Sequence, residues 1–140
     1  MGRYTETYRG AIYPWHCDHQ GHLTVMHYFG FFDHALWQFS AVIGFGPQRL
    51  KAEERGFVDV RATIEYRAEQ HVGELVHVET ALTKIGNTSL TVHHRMFNSE
   101  SGELAATLET VMLYFDLKAR TKLPLPEEDK TRLQAFLVEA

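Results

Sequence analysis

The densest group of side chains able to do chemistry is the segment WHCDHQGH, residues 15–22. It holds three histidines, a cysteine and an aspartate. Two chemistries fit it: metal ligation by the histidines and the cysteine, or acid–base or nucleophilic work by the one carboxylate, Asp18. An aspartate just before a glycine turn is most often a loop cap when the residues alone are considered. All three interpretations are open at this level.

The spacing of these residues argues against a metal site. The chain has a single cysteine, Cys17, and therefore no Cys-x-x-Cys motif. No two histidines lie four apart on a helical face. His22 and His27 have four residues between them, a spacing that zinc sites use, but no cysteine pair accompanies them. The sequence predicts no metal ligands and no cofactor, and Cys17 is expected to be a packed side chain.

Length, charge and cysteine content limit the function classes. With 140 residues the chain is expected to form one domain, residues 1–140. A net charge of -4 with scattered Lys and Arg argues against a nucleic-acid partner. The longest nearly uncharged stretch, Tyr28–Phe45, is too short and too polar to cross a bilayer. A lone cysteine and an N-terminus without an apolar signal region fit the reducing cytoplasm, so a cytoplasmic protein is predicted.

The hydrophobic period changes once near the N-terminus. Residues 4–13 alternate as in a strand, which Pro14 ends. After Thr24, a candidate N-cap, apolar residues recur at steps of three and four, which predicts a long helix ending at Gly44–Pro47. A short second helix is predicted in PQRLKAEERG, with Pro47 near its first turn and Gly56 past its end. The apolar stripe of the long helix consists of Tyr28, Phe31, Phe32, Ala35, Leu36, Phe39, Val42 and Ile43.

Beyond Gly56 the pattern is that of long strands. Four strands are predicted, over residues 57–69, 74–85, 89–98 and 103–116, and a last helix over 127–140. In the first of them the apolar residues should all lie on one face of the strand: Val58, Val60, Ala62, Ile64 and Tyr66. Strands about ten to thirteen residues long are roughly twice the usual ~5–6. Such strands curled around one buried helix make an α+β fold.

This order of elements, together with the loop residues, resembles the hotdog-fold acyl-CoA thioesterases of the 4-hydroxybenzoyl-CoA thioesterase-like group. The resemblance runs from about Thr5 to Asp116, and its most specific part is WHCDHQGHLTVMHYFGFFDHA. The family has a loop of the form D-x-x-G-H/I, followed by a helix that opens with a tyrosine. The matching residues here are Asp18, Gly21, His22 and Tyr28. The pieces ATIEYRAEQHVGE, IGNTSLTVHHRMF and LETVMLYFD are also similar to the family's strands and turns. The family's usual asparagine pair is replaced by Thr24-Val25.

The resemblance implies an enzyme that hydrolyses an acyl-CoA to a free acid and CoA. Asp18 would be the catalytic carboxylate, as a nucleophile that forms a mixed anhydride or as a general base on water. The backbone N–H of Val25, at the helix start, would stabilise the thioester oxyanion. Gly21 would permit close backbone approach or a positive φ. His22 would shape the loop and hold Asp18, or alternatively transfer a proton to the departing thiolate.

Other residues are candidates for binding the substrate. The aromatics Trp15, Tyr28 and Trp37 are core or dimer packing by default, but they could line an acyl pocket for an aryl or quaternary ammonium group. Arg67 and Arg95 are the first candidates for the CoA phosphates. The aromatic content favours a short, aryl or polar acyl group, cationic groups included.

The resemblance also implies a homodimer or homotetramer with the active site at the subunit junction. The edge strand and the apolar helix both need covering, which supports this expectation. Two other functions are open. A hotdog hydratase or dehydratase would carry D-x-N-P-x-H, whereas the interval here is one residue shorter and lacks the proline. A non-catalytic acyl-CoA-binding regulator would use the same fold, because a fold does not settle function.

Overall fold

A computed structural model describes residues 2–139 as one antiparallel sheet packed against a long helix. The strand order is β1-β3-β4-β5-β2, and the short β6 pairs with β5. The elements are β1 (Thr5–Ala11), α1 (Val25–Val42), α2 (Pro47–Glu53), β2 (Arg55–Tyr66), β3 (Leu75–Ile85), β4 (Ser89–Asn98), β5 (Leu104–Asp116), β6 (Thr121–Lys122) and α3 (Glu127–Leu133). Single 3-10 turns lie at Pro14–His16 and Gln134–Phe136. The predicted α+β class is confirmed.

The core lies between α1 and the concave face of the sheet. Phe31, Phe32 and Ala35 of α1 pack against β3 and β4, while Phe39 and Ile43 pack further along the same strands and β5. Their burial removes large apolar surfaces from water, and this stabilises the fold by about 1.5–3 kcal/mol for each large side chain. The predicted apolar stripe is therefore confirmed for most of its length. Leu36 is only partly buried and Val42 is exposed.

Several predicted boundaries were wrong. β2 starts at Arg55 and stops at Tyr66, so residues 67–69 belong to the following loop rather than to a strand. The sequence did not predict β6. The terminal helix does not continue through 137–139, because the backbone N–H of Val138 donates to Leu82 of β3 at 2.8 Å and holds that segment extended. Ala140 lies outside the described residues.

The apolar face predicted for β2 is not buried as a unit. A register shift between Asp59 and Arg61 leaves Val60 as an extra residue, and this bulge breaks the alternation. Val60 is 55% exposed and Tyr66 46% exposed. The physical reason is position: β2 is an edge strand, and α1 lies mainly over β1 and β3. No helix within residues 2–139 is long and apolar enough to cross a membrane.

Two adjacent histidines of β4 face opposite sides of the sheet, as strand geometry requires. His94 is fully buried beside Phe32, and its Nδ1 lies 2.7 Å from the hydroxyl of Thr80. His93 lies on the other face, with its Nδ1 2.8 Å from the hydroxyl of Tyr4. Burial, aided by the nearby His93, lowers the pKa of His94 to about 3. His94 is therefore a neutral core residue at physiological pH.

This burial predicts a loss of stability in acid. Between pH 6.5 and about 3 the unfolded chain protonates His94 and the folded chain does not. The free energy of unfolding therefore falls by up to about 1.4 kcal/mol per pH unit from this group. Between pH 6.0 and pH 4.5 the free energy of unfolding should fall by about 2 kcal/mol less in His94→Leu than in the parent. Urea unfolding at the two pH values measures this difference. The exposed His19→Leu is the control, and parallel curves for parent and His94→Leu would contradict the assignment.

Candidate active site

The loop after β1 folds back on itself and presents a carboxylate at its tip. Cys17 and Leu23 form an isolated antiparallel bridge, and the N–H of Asp18 donates to the carbonyl of His22 at 2.9 Å. The N–H of Gly21 donates to the carbonyl of Asp18 at 3.0 Å, which closes the turn. Gly21 has a φ of +80°, a conformation that only glycine adopts without strain.

The carboxylate of Asp18 is exposed and held by backbone donors. Its Oδ1 accepts hydrogen bonds from the N–H groups of Gln20, at 2.9 Å, and His22, at 3.1 Å. The hydrogen bond from His22 lowers the pKa of Asp18, desolvation opposes this, and the hydrogen bond from Gln20 lowers the pKa further. Asp18 is therefore ionised at neutral pH. Because both bonds fall on Oδ1, Oδ2 is the oxygen available for reaction. His22 holds Asp18 through its backbone and not through its ring.

Helix α1 begins beside this carboxylate. The carbonyl of Thr24 accepts hydrogen bonds from the N–H groups of His27 and Tyr28, both at 3.0 Å. The N–H of Val25, at the first helical position, has no intrahelical acceptor. Thr24 occupies the N-cap position, but its hydroxyl makes no capping bond, which corrects the prediction. The N–H of His27, which such a hydroxyl would normally bind, already donates to the Thr24 carbonyl.

A cavity of about 340 Å³ brings five predicted residues together. It is lined by Asp18, His22, Val25, Tyr28 and Arg67, together with Leu23, Tyr66, Ala68, Glu69 and Gln70. The hydroxyl of Tyr28 donates to the carbonyl of Ala68 at 3.3 Å, and burial raises its pKa. The helix start, the carboxylate and a segment that follows β2 therefore share one concave surface.

Three other predicted binding residues lie elsewhere. Trp15 is 68% exposed and stacks on Tyr13 with the ring centroids 4.6 Å apart. Arg95 donates to Glu79 at 3.3 Å, and its guanidinium lies 3.5 Å from the ring centroid of Tyr4. Neither residue lines the cavity that holds Asp18. Trp37 lines a second cavity.

This second cavity lies between α1, α2 and β2 and has a volume of about 500 Å³. Its wall is mostly apolar, but two carboxylates face it, Asp33 from α1 and Asp59 from β2. Desolvation and the charge of Asp33 raise the pKa of Asp59. Lys51 and Arg55 line the same cavity. The remaining lining residues are Leu36, Trp37, Ser40, Pro47, Leu50, Gly56, Phe57, Met112 and Leu117.

Sequence reasoning predicted Arg67 but missed Asp33, Asp59 and the neighbours of Arg67 in the cavity wall, Tyr66, Ala68, Glu69 and Gln70. Asp33 had a signal, since it is the single acidic residue in the apolar run of α1. Asp59 was hidden in a strand pattern as an ordinary outward charge. Glu69 was placed inside a strand, whereas the structure puts its Oε2 3.7 Å from the Nε2 of His22.

The chain is similar to known proteins over nearly all of its length. Residues 12–137 match the family model of the thioesterase-like superfamily. A betainyl-CoA thioesterase of Pseudomonas aeruginosa is 27% identical over 136 residues, which cover 97% of this chain and 86% of that protein.

Solved structures show the same fold. A Staphylococcus aureus protein solved in complex with CoA superimposes with a TM-score of 0.86 at 16% identity, covering 98% of this chain and 89% of that one. A candidate thioesterase of Pseudomonas putida KT2440 has a TM-score of 0.81 at 26% identity, covering 96% and 86%. These matches confirm the predicted hotdog fold. The chain belongs to the thioesterase-like superfamily and is an acyl-CoA thioesterase with the hotdog fold.

Proposed function

We propose that this thioesterase hydrolyses the CoA ester of a short acyl group, foremost one with a quaternary ammonium such as betainyl, and that Asp18 is its catalytic carboxylate. The observation that carries the proposal is the cavity in which the ionised Asp18 and the start of α1 lie together. The similarity to a betainyl-CoA thioesterase supports the acyl class. The single cysteine supports the cytoplasm as the place of the reaction.

The chemistry assigns a role to each group in the cavity. In one route Oδ2 of Asp18 attacks the thioester carbon, the C–S bond breaks, CoA leaves as a thiolate, and water then hydrolyses the anhydride. In the other route Asp18 takes a proton from a water as that water attacks the same carbon, the C–S bond then breaks, and the CoA thiolate leaves and is protonated. In both, negative charge grows on the carbonyl oxygen, and the N–H of Val25 would donate to it. Arg67 is the candidate cation for the CoA moiety in this cavity.

Selection of the acyl group is proposed for the second cavity. Trp37 offers a ring face for a quaternary ammonium, and Asp33 and Asp59 supply negative charge. Asp33 lies eight residues after Val25, about 12 Å further along α1. A betainyl group has one carbon between its carbonyl and its nitrogen and cannot bridge that distance. We therefore propose that an acyl group bound in this cavity has its thioester carbonyl at the Asp18 loop of a second copy of the chain.

This assignment makes a prediction for specificity. Trp37→Leu and Asp33→Asn should each lower kcat/KM for betainyl-CoA by about tenfold, because the first removes a cation–π attraction of roughly 0.5–2 kcal/mol and the second removes a negative charge that attracts the cation. The value for acetyl-CoA should change little. The measure is thiol release, and Trp15→Leu is the matched control for loss of an exposed tryptophan. Equal effects on both substrates would contradict the role in specificity.

The function itself is tested by thiol release from a panel of CoA esters with the unmodified protein. The panel contains acetyl-, betainyl-, benzoyl- and palmitoyl-CoA. The proposal expects betainyl-CoA to have the highest kcat/KM and palmitoyl-CoA the lowest. A preference for benzoyl-CoA would agree with the proposed hydrolysis but would show that the acyl group is aryl rather than quaternary ammonium. Binding of CoA esters without hydrolysis would favour the acyl-CoA-binding regulator.

A homodimer is proposed through the edge strand β2. Its unpaired backbone groups and the exposed Val60 and Tyr66 support this, as does the need for a second copy at the cavity of Trp37. A charge at the edge should prevent pairing, so Val60→Lys is expected to sediment as a monomer in equilibrium centrifugation. Val72→Lys, whose parent valine is similarly exposed but lies outside β2, should keep the parent's mass. Equal masses for parent and Val60→Lys would contradict this interface.

A further inference from the structure

The loop that carries Asp18 is paired with the segment that precedes β3. The N–H of Leu23 donates to the carbonyl of Gln70 at 2.8 Å, and the N–H of Val72 donates to the carbonyl of Gly21 at 3.0 Å. These two bonds flank an antiparallel pair, His22 and His71. In such a non-hydrogen-bonded pair the side chains lie closest together. The two imidazole centroids are accordingly only 4.9 Å apart.

A carboxylate completes this group. Glu69 lies two residues before His71, and in extended chain such residues point to the same side. One ligand atom from each of His22, Glu69 and His71 lies within 4.8 Å of the others. A tetrahedral ion bound at about 2.0–2.2 Å needs its ligands roughly 3.3–3.6 Å apart. The Nε2–Oε2 separation of 3.7 Å between His22 and Glu69 nearly meets this spacing.

The ring of His71 is already oriented as in metal sites. Its Nδ1 lies 2.7 Å from Oε1 of Glu74, which also accepts the backbone N–H of His71 at 2.8 Å. The other oxygen of Glu74 accepts a hydrogen bond from the buried Asn98 at 2.8 Å. A carboxylate on one imidazole nitrogen is the usual outer partner of a metal-bound histidine. It leaves Nε2 of His71 free to act as a ligand.

From this geometry we propose that His22, Glu69 and His71 form a binding site for a divalent cation of the zinc class. Two imidazoles and one carboxylate suit Zn²⁺ or Co²⁺, whereas Mg²⁺ and Ca²⁺ prefer oxygen ligands. Three protein ligands leave the fourth position to water. The sequence predicted no metal site, because the loop histidines alone lack a ligand pattern. The second and third ligands come from a segment 47 and 49 residues further on.

The site has a consequence that rests on the proposed function. His22 and Glu69 line the same cavity as Asp18, and the N–H of His22 donates to Asp18. A divalent ion there would attract the carboxylate and weaken it as a nucleophile or base. Zn²⁺ is therefore expected to inhibit hydrolysis reversibly, with a chelator restoring the rate.

The test measures binding directly and without substrate. The full chain, free of any affinity tag, is titrated with Zn²⁺ by calorimetry and with Co²⁺ by visible absorption, which reports ligand geometry. One ion per chain is expected. His71→Ala and Glu69→Gln should each raise the Kd about tenfold or more. His19→Ala, an exposed histidine of the same loop outside the group, should bind as the parent does.

Each outcome decides the proposal. His71→Ala keeps the backbone bridge, and circular dichroism checks that both variants remain folded. Equal affinity in parent and His71→Ala, or an equal loss in His19→Ala, would overturn the site. If Zn²⁺ still inhibited His71→Ala, the inhibition would not come from binding at His22, Glu69 and His71. A protein that binds Zn²⁺ through these residues but hydrolyses no thioester would keep the site and refute the proposed function.

Discussion

Replacing Asp18 by asparagine is expected to lower kcat for the best acyl-CoA by about 10³-fold or more. The asparagine oxygen can still accept the N–H groups of Gln20 and His22, so the loop should keep its shape. The variant lacks the negative charge that either attack on the thioester or proton removal from water requires. Thiol release at saturating substrate measures the loss, and Tm should change little.

The chain offers a matched control for this variant. Asp116, at the end of β5, accepts two backbone N–H groups on its Oδ1, from Lys118 at 2.9 Å and from Ala119 at 3.0 Å. Asp116→Asn therefore removes the same charge from a similar turn outside the cavity that holds Asp18. Its ion pair at 3.5 Å is with Arg55 of the second cavity, so the comparison uses acetyl-CoA, for which the variant should keep the parent's kcat. An Asp18→Asn variant within tenfold of the parent would show that Asp18 is only a loop cap.

The expected pH dependence follows from the same hydrogen bonds. They lower the pKa of Asp18, so its carboxylate is already ionised well below neutral pH. We expect kcat/KM to be flat from neutral pH into mild acid and to fall only as Asp18 takes up a proton. A rate that drops between pH 7 and pH 6 would point to a histidine as the essential base.

The largest expected effect on stability comes from Asp129→Asn. This carboxylate of α3 is only 1% exposed and binds two guanidiniums, Arg49 of α2 at 2.8 and 2.9 Å and Arg132 at 2.6 Å. The same arginines donate to the carbonyls of Gly44 and Ile43 at the end of α1. One buried side chain thus ties three helices together.

Loss of this charge should reduce the free energy of unfolding by about 3 kcal/mol. That is the low end of the range for breaking a buried ion pair, because both guanidiniums keep partial access to water. Urea unfolding measures it, and Glu128→Gln, an exposed neighbour in the same helical turn, should cost less than about 0.5 kcal/mol. Arg49 and Arg132 lower the pKa of Asp129, so its contribution is present above the pKa of an unfolded aspartate and is lost as pH falls. Equal losses in the two variants would contradict the assignment.

The sequence alone determined most of the helices and strands and the shape of the loop that carries Asp18. The steps of three and four in α1 and the alternation in β3 to β5 are local patterns that directly express which faces become buried. The loop could be predicted because its shape depends on neighbours in the chain. Gly21 needs a positive φ, and Asp18 accepts hydrogen bonds from residues two and four positions later.

Only the tertiary structure decided what surrounds that loop. Glu69 and His71 reach His22 through a bridge between segments almost fifty residues apart, and no local pattern announces such a pairing. The edge position of β2 likewise depends on strand order and cannot be seen in its sequence. Its alternation therefore predicted a buried face, which the folded sheet does not have. Asp33 of α1 and Asp59 of β2 line one cavity although they lie 26 residues apart in the chain. Local periodicity specifies which side of an element is apolar, whereas the neighbours of that side depend on long-range packing.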